Sequence, residues 1–188
     1  RIALIALVAL LIISAAIGIS IILLGAFTDT EVRILASSGA LSVYTALMMP
    51  SLFHLKGNKY PYLTRLTAAS TSITLIMFLL LIWGSGPIEG TFSFIKILAS
   101  VTVLAIATNH CLVLLIVRPN KLVVRMFQNA TIVVIALMAI FFILGIWNNG
   151  MIEPLLRVFL TLAVLDALGS IATPLLYKQQ DKLENLYK

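Results

Sequence analysis

One carboxylate, Asp166, lies inside a long apolar run of this 188-residue sequence. It follows the basic residue Arg157 by nine positions, roughly 14 Å along a helix at 1.5 Å per residue. That places it near the middle of a bilayer, where an ionised Asp costs about 2.5–3.5 kcal/mol on insertion scales. Such a residue either binds a proton or a cation, or holds helices together as a hydrogen-bonded acid. Asn109, Thr45 and Ser170 are its candidate partners. His110 stands in Thr108-Asn109-His110-Cys111, and an imidazole can carry protons or ligate metals. A metal site needs three or four ligands. Adjacent helical residues point about 100° apart, so His110 and Cys111 do not share one ion. His54, at the end of its run, is expected at the membrane interface. Two histidines at different depths do not make a bis-histidine haem site. The sequence therefore predicts no metal and no cofactor.

Hydroxyl and amide residues recur at helical spacing around these groups. Ser38, Ser42 and Thr45 form one stripe, Asp166, Ser170 and Thr173 a second, and Thr102 with Asn109 a third. Residues at i, i+4 and i+7 share a helix face, and polar faces turn away from lipid. The expected interior polar path is thus Ser42, Thr45, Asn109, His110, Asp166, Ser170 and Thr173. Thr67, Ser70, Thr71 and Thr74 make a small-residue face suited to close packing. Three further cations, Arg33, Lys96 and Arg157, each follow an acid (Glu31, Glu89 and Glu153). Acids favour a helix N-terminus and long basic side chains snorkel to the interface. The alternative is an outer vestibule ringed by three cations that attracts an anion or a lipid phosphate.

Those three cations also open the elements that carry the polar stripes. Arg33-Ile34-Leu35-Ala36-Ser37 recurs as Lys96-Ile97-Leu98-Ala99-Ser100, and more loosely as Arg157-Val158-Phe159-Leu160-Thr161, at intervals of 63 and 61 residues. Each copy starts a long apolar run. The chain is 61% hydrophobic and 11% charged, against about 25% charged in soluble domains, so lipid must be its solvent. Apolar runs at about 2–26, 32–53, 63–84, 92–117, 122–147 and 154–177 each have roughly the 20 residues that cross a hydrocarbon core. Turn chemistry separates them, including Lys56-Gly57-Asn58-Lys59-Tyr60-Pro61 and Arg118-Pro119-Asn120-Lys121. The expected fold is all-α: a polytopic six-helix membrane bundle, one transmembrane domain over residues 1–182. It is built from three tandem two-helix hairpins, about 1–59, 60–121 and 122–182, with pseudo-three-fold symmetry along the membrane normal.

Charge sets the orientation. Ten basic residues, among them Lys56, Arg65, Arg118, Arg125 and Lys178, fall on one side of this arrangement, and only Arg33, Lys96 and Arg157 on the other. The positive-inside rule puts both termini in the cytoplasm, and the expected location is a prokaryotic cytoplasmic membrane. The net charge of +6 follows from this asymmetry, so no nucleic-acid partner is expected. The first run is too long for a signal h-region and reads as a retained helix. Residues 183–188 read as a tail, with a protease-site-like scar as one source.

Enzyme signatures are absent from the sequence: it has no paired intramembrane carboxylates, no histidine cluster and no Gly-x-Ser-x-Gly elbow. The expectation is a non-catalytic accessory or scaffold subunit whose helix faces bind lipid, a membrane protein partner or further copies of itself. The alternative is a small solute or ion transporter or channel with a polar path centred on Asp166.

Overall fold

The structure is a computed structural model that describes residues 28–57, 60–84, 91–117, 119, 122–148 and 153–186, with scattered positions between 5 and 20. Every described position in that N-terminal stretch that is assigned a conformation is helical, and the stretch is labelled α1. The remaining helices are α2 (Asp29–Lys56), α3 (Pro61–Trp83), α4 (Thr91–Leu114), α5 (Leu122–Trp147) and α6 (Glu153–Leu186). The chain is an all-helical integral membrane protein, and α2 to α6 are each long and apolar enough to cross a membrane. Glu89, Arg118, Lys121, the tail residues 187–188 and much of the first run lie outside the described residues.

Local chemistry explains the boundaries. Thr28 caps α2: its hydroxyl accepts from the Glu31 N–H at 3.4 Å, and the Glu31 carboxylate accepts from the Thr28 N–H at 2.9 Å. This reciprocal box satisfies two donors that a helix start leaves orphaned. It starts the helix three residues before the apolar run at 32. Pro61 opens α3, where its missing N–H costs nothing. α4 stops at Leu114 rather than running to 117, and residues 115–117 form a turn. α6 runs to Leu186, nine residues past the end of its apolar run at 177. Lys, Gln, Glu and Leu in that extension are good helix formers, and helicity does not require apolarity.

The chain forms two compact units, residues 1–105 and 106–188, divided within α4. In the first, α2 and α3 pack as an antiparallel pair. Trp83 Nε1 donates to Ser37 Oγ at 2.9 Å near one end, and the Tyr44 and Ser72 hydroxyls meet at 3.4 Å nearer the middle. The face of α3 turned to the interior is Thr64, Thr67, Ser70, Thr71 and Thr74. Four of these are the small residues whose spacing predicts close packing. His54, two residues from the end of α2, is 2% exposed, with the Tyr60 ring edge-on at 6.0 Å.

In the second unit α5 and α6 pack antiparallel. Phe142 and Phe159 stack at 5.4 Å between centroids, and Gly169 meets Thr131 about three turns along. The buried face of α5 is Val124, Gln128, Thr131 and Ile135, the spacing of one helix stripe.

Candidate functional site

The three copies of the basic motif share one local geometry. Arg33, Lys96 and Arg157 stand four, five and four residues into α2, α4 and α6. In each copy the hydroxyl four residues on donates back to the carbonyl of the basic residue. Ser37 bonds Arg33 at 2.8 Å, Ser100 bonds Lys96 at 2.8 Å and Thr161 bonds Arg157 at 2.9 Å. This is the i−4 back-bond by which Ser and Thr satisfy themselves inside a helix. The cations themselves do different things. Arg157 lies 3.7 Å from Glu153, their side chains 80% and 83% exposed. Lys96 stands over the Phe92 ring at 4.6 Å. Glu31 caps Thr28.

The residues expected on the polar path separate into two behaviours. Ser42 and Thr45 belong to the first unit and bond their own helix, to Ser38 O at 2.9 Å and Leu41 O at 2.8 Å. In the second unit, Thr173 is fully buried and bonds Gly169 O at 2.7 Å. Asn109 is 3% exposed on α4. The other three come together in side-chain contact. His110 Nε2 lies 2.9 Å from Ser170 Oγ, and Ser170 Oγ donates to Asp166 Oδ1 at 3.1 Å. His110 Nδ1 faces Asp166 Oδ2 at 3.7 Å. Of the partners expected for Asp166, Ser170 is one; His110 is the addition that the sequence did not name.

Helix geometry positions the three groups. Asp166 and Ser170 are one turn apart on α6 and share its face. Pro174 lacks an N–H, so the Ser170 carbonyl has no helical donor, and α6 is locally open beside the cluster. His110 stands four residues from the end of α4, roughly 6 Å. The cluster is therefore one turn from the α4–α5 connection. That end of α4 is fastened by Gln128 on α5, 4% exposed. Its amide nitrogen donates to Leu114 O at 2.6 Å and to Val117 O at 2.9 Å. These are carbonyls that a helix C-terminus leaves without partners. Gln128 was legible as the lone glutamine of its apolar run, four residues from Val124 and three from Thr131. Gly169 was legible as the small residue between Asp166 and Thr173. Sequence reasoning singled out neither.

Chemically, the cluster has the atom order of a nucleophile triad, Ser Oγ to His Nε2 and His Nδ1 to a carboxylate. Ser170, however, gives its hydrogen to Asp166 and so offers His110 an acceptor, not an attacking oxygen. Among the described residues no group of three His, Cys, Asp or Glu side chains is placed to hold a metal ion.

No known protein family, curated protein or solved structure matches this chain.

Proposed function

We propose that this chain is a small non-catalytic integral membrane protein, an accessory or scaffold subunit that binds a partner protein through its helix faces. The observation that carries this reading is the bareness of the spans. Among the described residues, 6% of the most apolar stretch of α2 is buried, and 6% of that of α6. Lipid covers such faces by default, and a partner helix can replace lipid where small residues allow close approach. A non-catalytic role is supported by the use of the Ser170 hydrogen on Asp166. It is also supported by the helical backbone around Ser170, whose N–H groups serve the helix and leave none to stabilise an oxyanion.

Under this reading the hairpin units are related by three-fold symmetry along the membrane normal, and both termini face the cytoplasm. The shared position and back-bond of Arg33, Lys96 and Arg157 support the repeat. The ten-to-three distribution of basic residues supports the orientation, with the cytoplasmic membrane of a prokaryote as the host. The test is native mass spectrometry of the protein released from its own membrane in mild detergent. A stoichiometric partner protein is the expected result. A chain that is always released alone overturns the scaffold reading.

The His110–Ser170–Asp166 cluster favours a second reading, a small transporter whose coupling residue is Asp166. Its expected signature is a bound ion or small molecule in wild-type protein that is lost in Asp166→Asn. Unchanged flux in proteoliposomes of that variant removes Asp166 from any coupling role.

A further inference from the structure

We infer that His110, Ser170 and Asp166 form a binding site for a single exchangeable proton, held between Nδ1 of His110 and Oδ2 of Asp166. A serine hydroxyl has one hydrogen. Ser170 directs it to Asp166 Oδ1, so toward His110 its oxygen can only accept, and Nε2 must carry the hydrogen of the 2.9 Å bond. A neutral imidazole carries a hydrogen on one ring nitrogen only. With Nε2 occupied, Nδ1 presents a lone pair, and it presents it to a carboxylate oxygen at 3.7 Å. Two lone pairs facing each other in a membrane span repel.

One proton between them converts repulsion into attraction. It sits either on Oδ2, as a carboxylic acid donating to neutral Nδ1, or on Nδ1, as an imidazolium facing a carboxylate. Both arrangements contain the same atoms and have no net charge, so the proton can cross between the groups without changing the charge of the site. Water supplies and receives it. With the proton in place, an attraction across the 3.7 Å between Nδ1 and Oδ2 adds to the Nε2 bond that holds α4 to α6. Without it, only the Nε2 edge remains bonded.

The surroundings leave this pair as the local proton acceptor. On α6, no other titratable side chain lies between Arg157 and Tyr177. On α5, the buried face of Val124, Gln128, Thr131 and Ile135 has none. On α4, the neighbouring titratable group is Cys111, 8% exposed. The side chains of His110 and Asp166 are partly buried, 35% and 17% exposed, and His110 stands one turn from the end of α4, the side from which the site would exchange. Such a site is independent of whether the chain holds a partner or moves a solute.

The test is a proton titration of the full chain in nanodiscs. The ring nitrogens of labelled His110 are read by NMR, with His54→Gln to assign them, and the carboxyl of Asp166 by infrared difference spectroscopy. The expected wild-type result is a hydrogen on Nε2 throughout and release of one proton per chain from the pair on alkalinisation. In Asp166→Asn the amide oxygen accepts from Ser170 and the amide N–H donates to Nδ1. The two Ser170 bonds are kept and the amide has nothing to release, so the proton signal is lost while Nε2–H persists. In Ser170→Ala the preference for Nε2–H is lost. A wild-type His110 with hydrogen on Nδ1 and a bare Nε2 overturns the proposal. So does an Asp166→Asn variant that still releases the proton. Continued shielding of Cys111 from thiol reagents verifies folding; should Asp166→Asn fail it, the wild-type tautomer and Ser170→Ala decide alone.

Discussion

Replacing Gly169 by Ala tests the packing that sets the second unit. A Cβ built on Gly169 overlaps the Thr131 side chain, lying 2.9 Å from its Cγ2 and 3.0 Å from its Cβ. Rotating Thr131 relieves the first contact but not the second, because Cβ is fixed by the backbone. The helices must separate, and such overpacking costs about 1–3 kcal/mol. At about 2–4 °C per kcal/mol for a chain of this size, the melting temperature should fall by about 2–12 °C. If space existed, the sign would reverse, since Ala inside a helix is about 0.5–1 kcal/mol better than Gly. The protein contains its own reporter. Cys111 is the single cysteine and is 8% exposed, so a thiol-reactive fluorophore added during a heat ramp reads unfolding directly. Thr131→Ala removes Oγ1 and Cγ2 but leaves Cβ, and should recover part of the loss, with a coupling of about 0.5–3 kcal/mol. A Gly169→Ala variant that melts at or above the wild-type temperature refutes the close-contact reasoning. An undiminished penalty in the Thr131→Ala background shows that the clash lies elsewhere.

Gln128→Leu keeps the volume of the side chain but removes both donors from Leu114 O and Val117 O. Leaving a buried acceptor unpaired costs about 1–3 kcal/mol, so the same heat ramp should show a loss at least as large as that of Gly169→Ala. Trp83→Phe breaks the bond to Ser37. With Trp83 half exposed, the loss should sit near the low end of about 0.5–1.5 kcal/mol, and Ser37→Ala should cost less in that background than alone, because only its bond to Arg33 O is then left to lose. Glu153→Gln removes an ion pair whose two side chains are at least 80% exposed, and should leave the melting temperature unchanged within error.

The spans were legible because each is a run of apolar residues bounded by Gly, Pro or charge, and the lipid requirement leaves little freedom in reading them. The end of α6 was not legible in the same way. Hydropathy marks where a helix meets lipid, and the run stops at 177, while the hydrogen-bonded helix continues through a charged segment to Leu186. The start of α2 differs for a related reason, since the capping box of Thr28 and Glu31 begins the helix at Asp29, ahead of the apolar run at 32. Asp166 stood out as a lone carboxylate, and Ser170 followed from helical spacing. His110 could not be joined to them from sequence, because the register between α4 and α6 depends on packing that no periodicity encodes. Gln128 and Gly169 carried a visible spacing signal, but a glutamine and a glycine in an apolar run have many bland explanations until their neighbours are known.

Pro174 gives α6 the mechanics of a jointed rod. Four residues on its N-terminal side is Ser170, held in the His110–Asp166 cluster; on its other side is an arm of twelve residues to Leu186, about 18 Å long at 1.5 Å per residue. Prolines are where helices bend. A change of bend of about 10° at this joint carries the tip roughly 3 Å, given an arm of that length. Small rearrangements inside the membrane are thereby magnified at the far end of a rigid pointer, which is where another molecule would feel them.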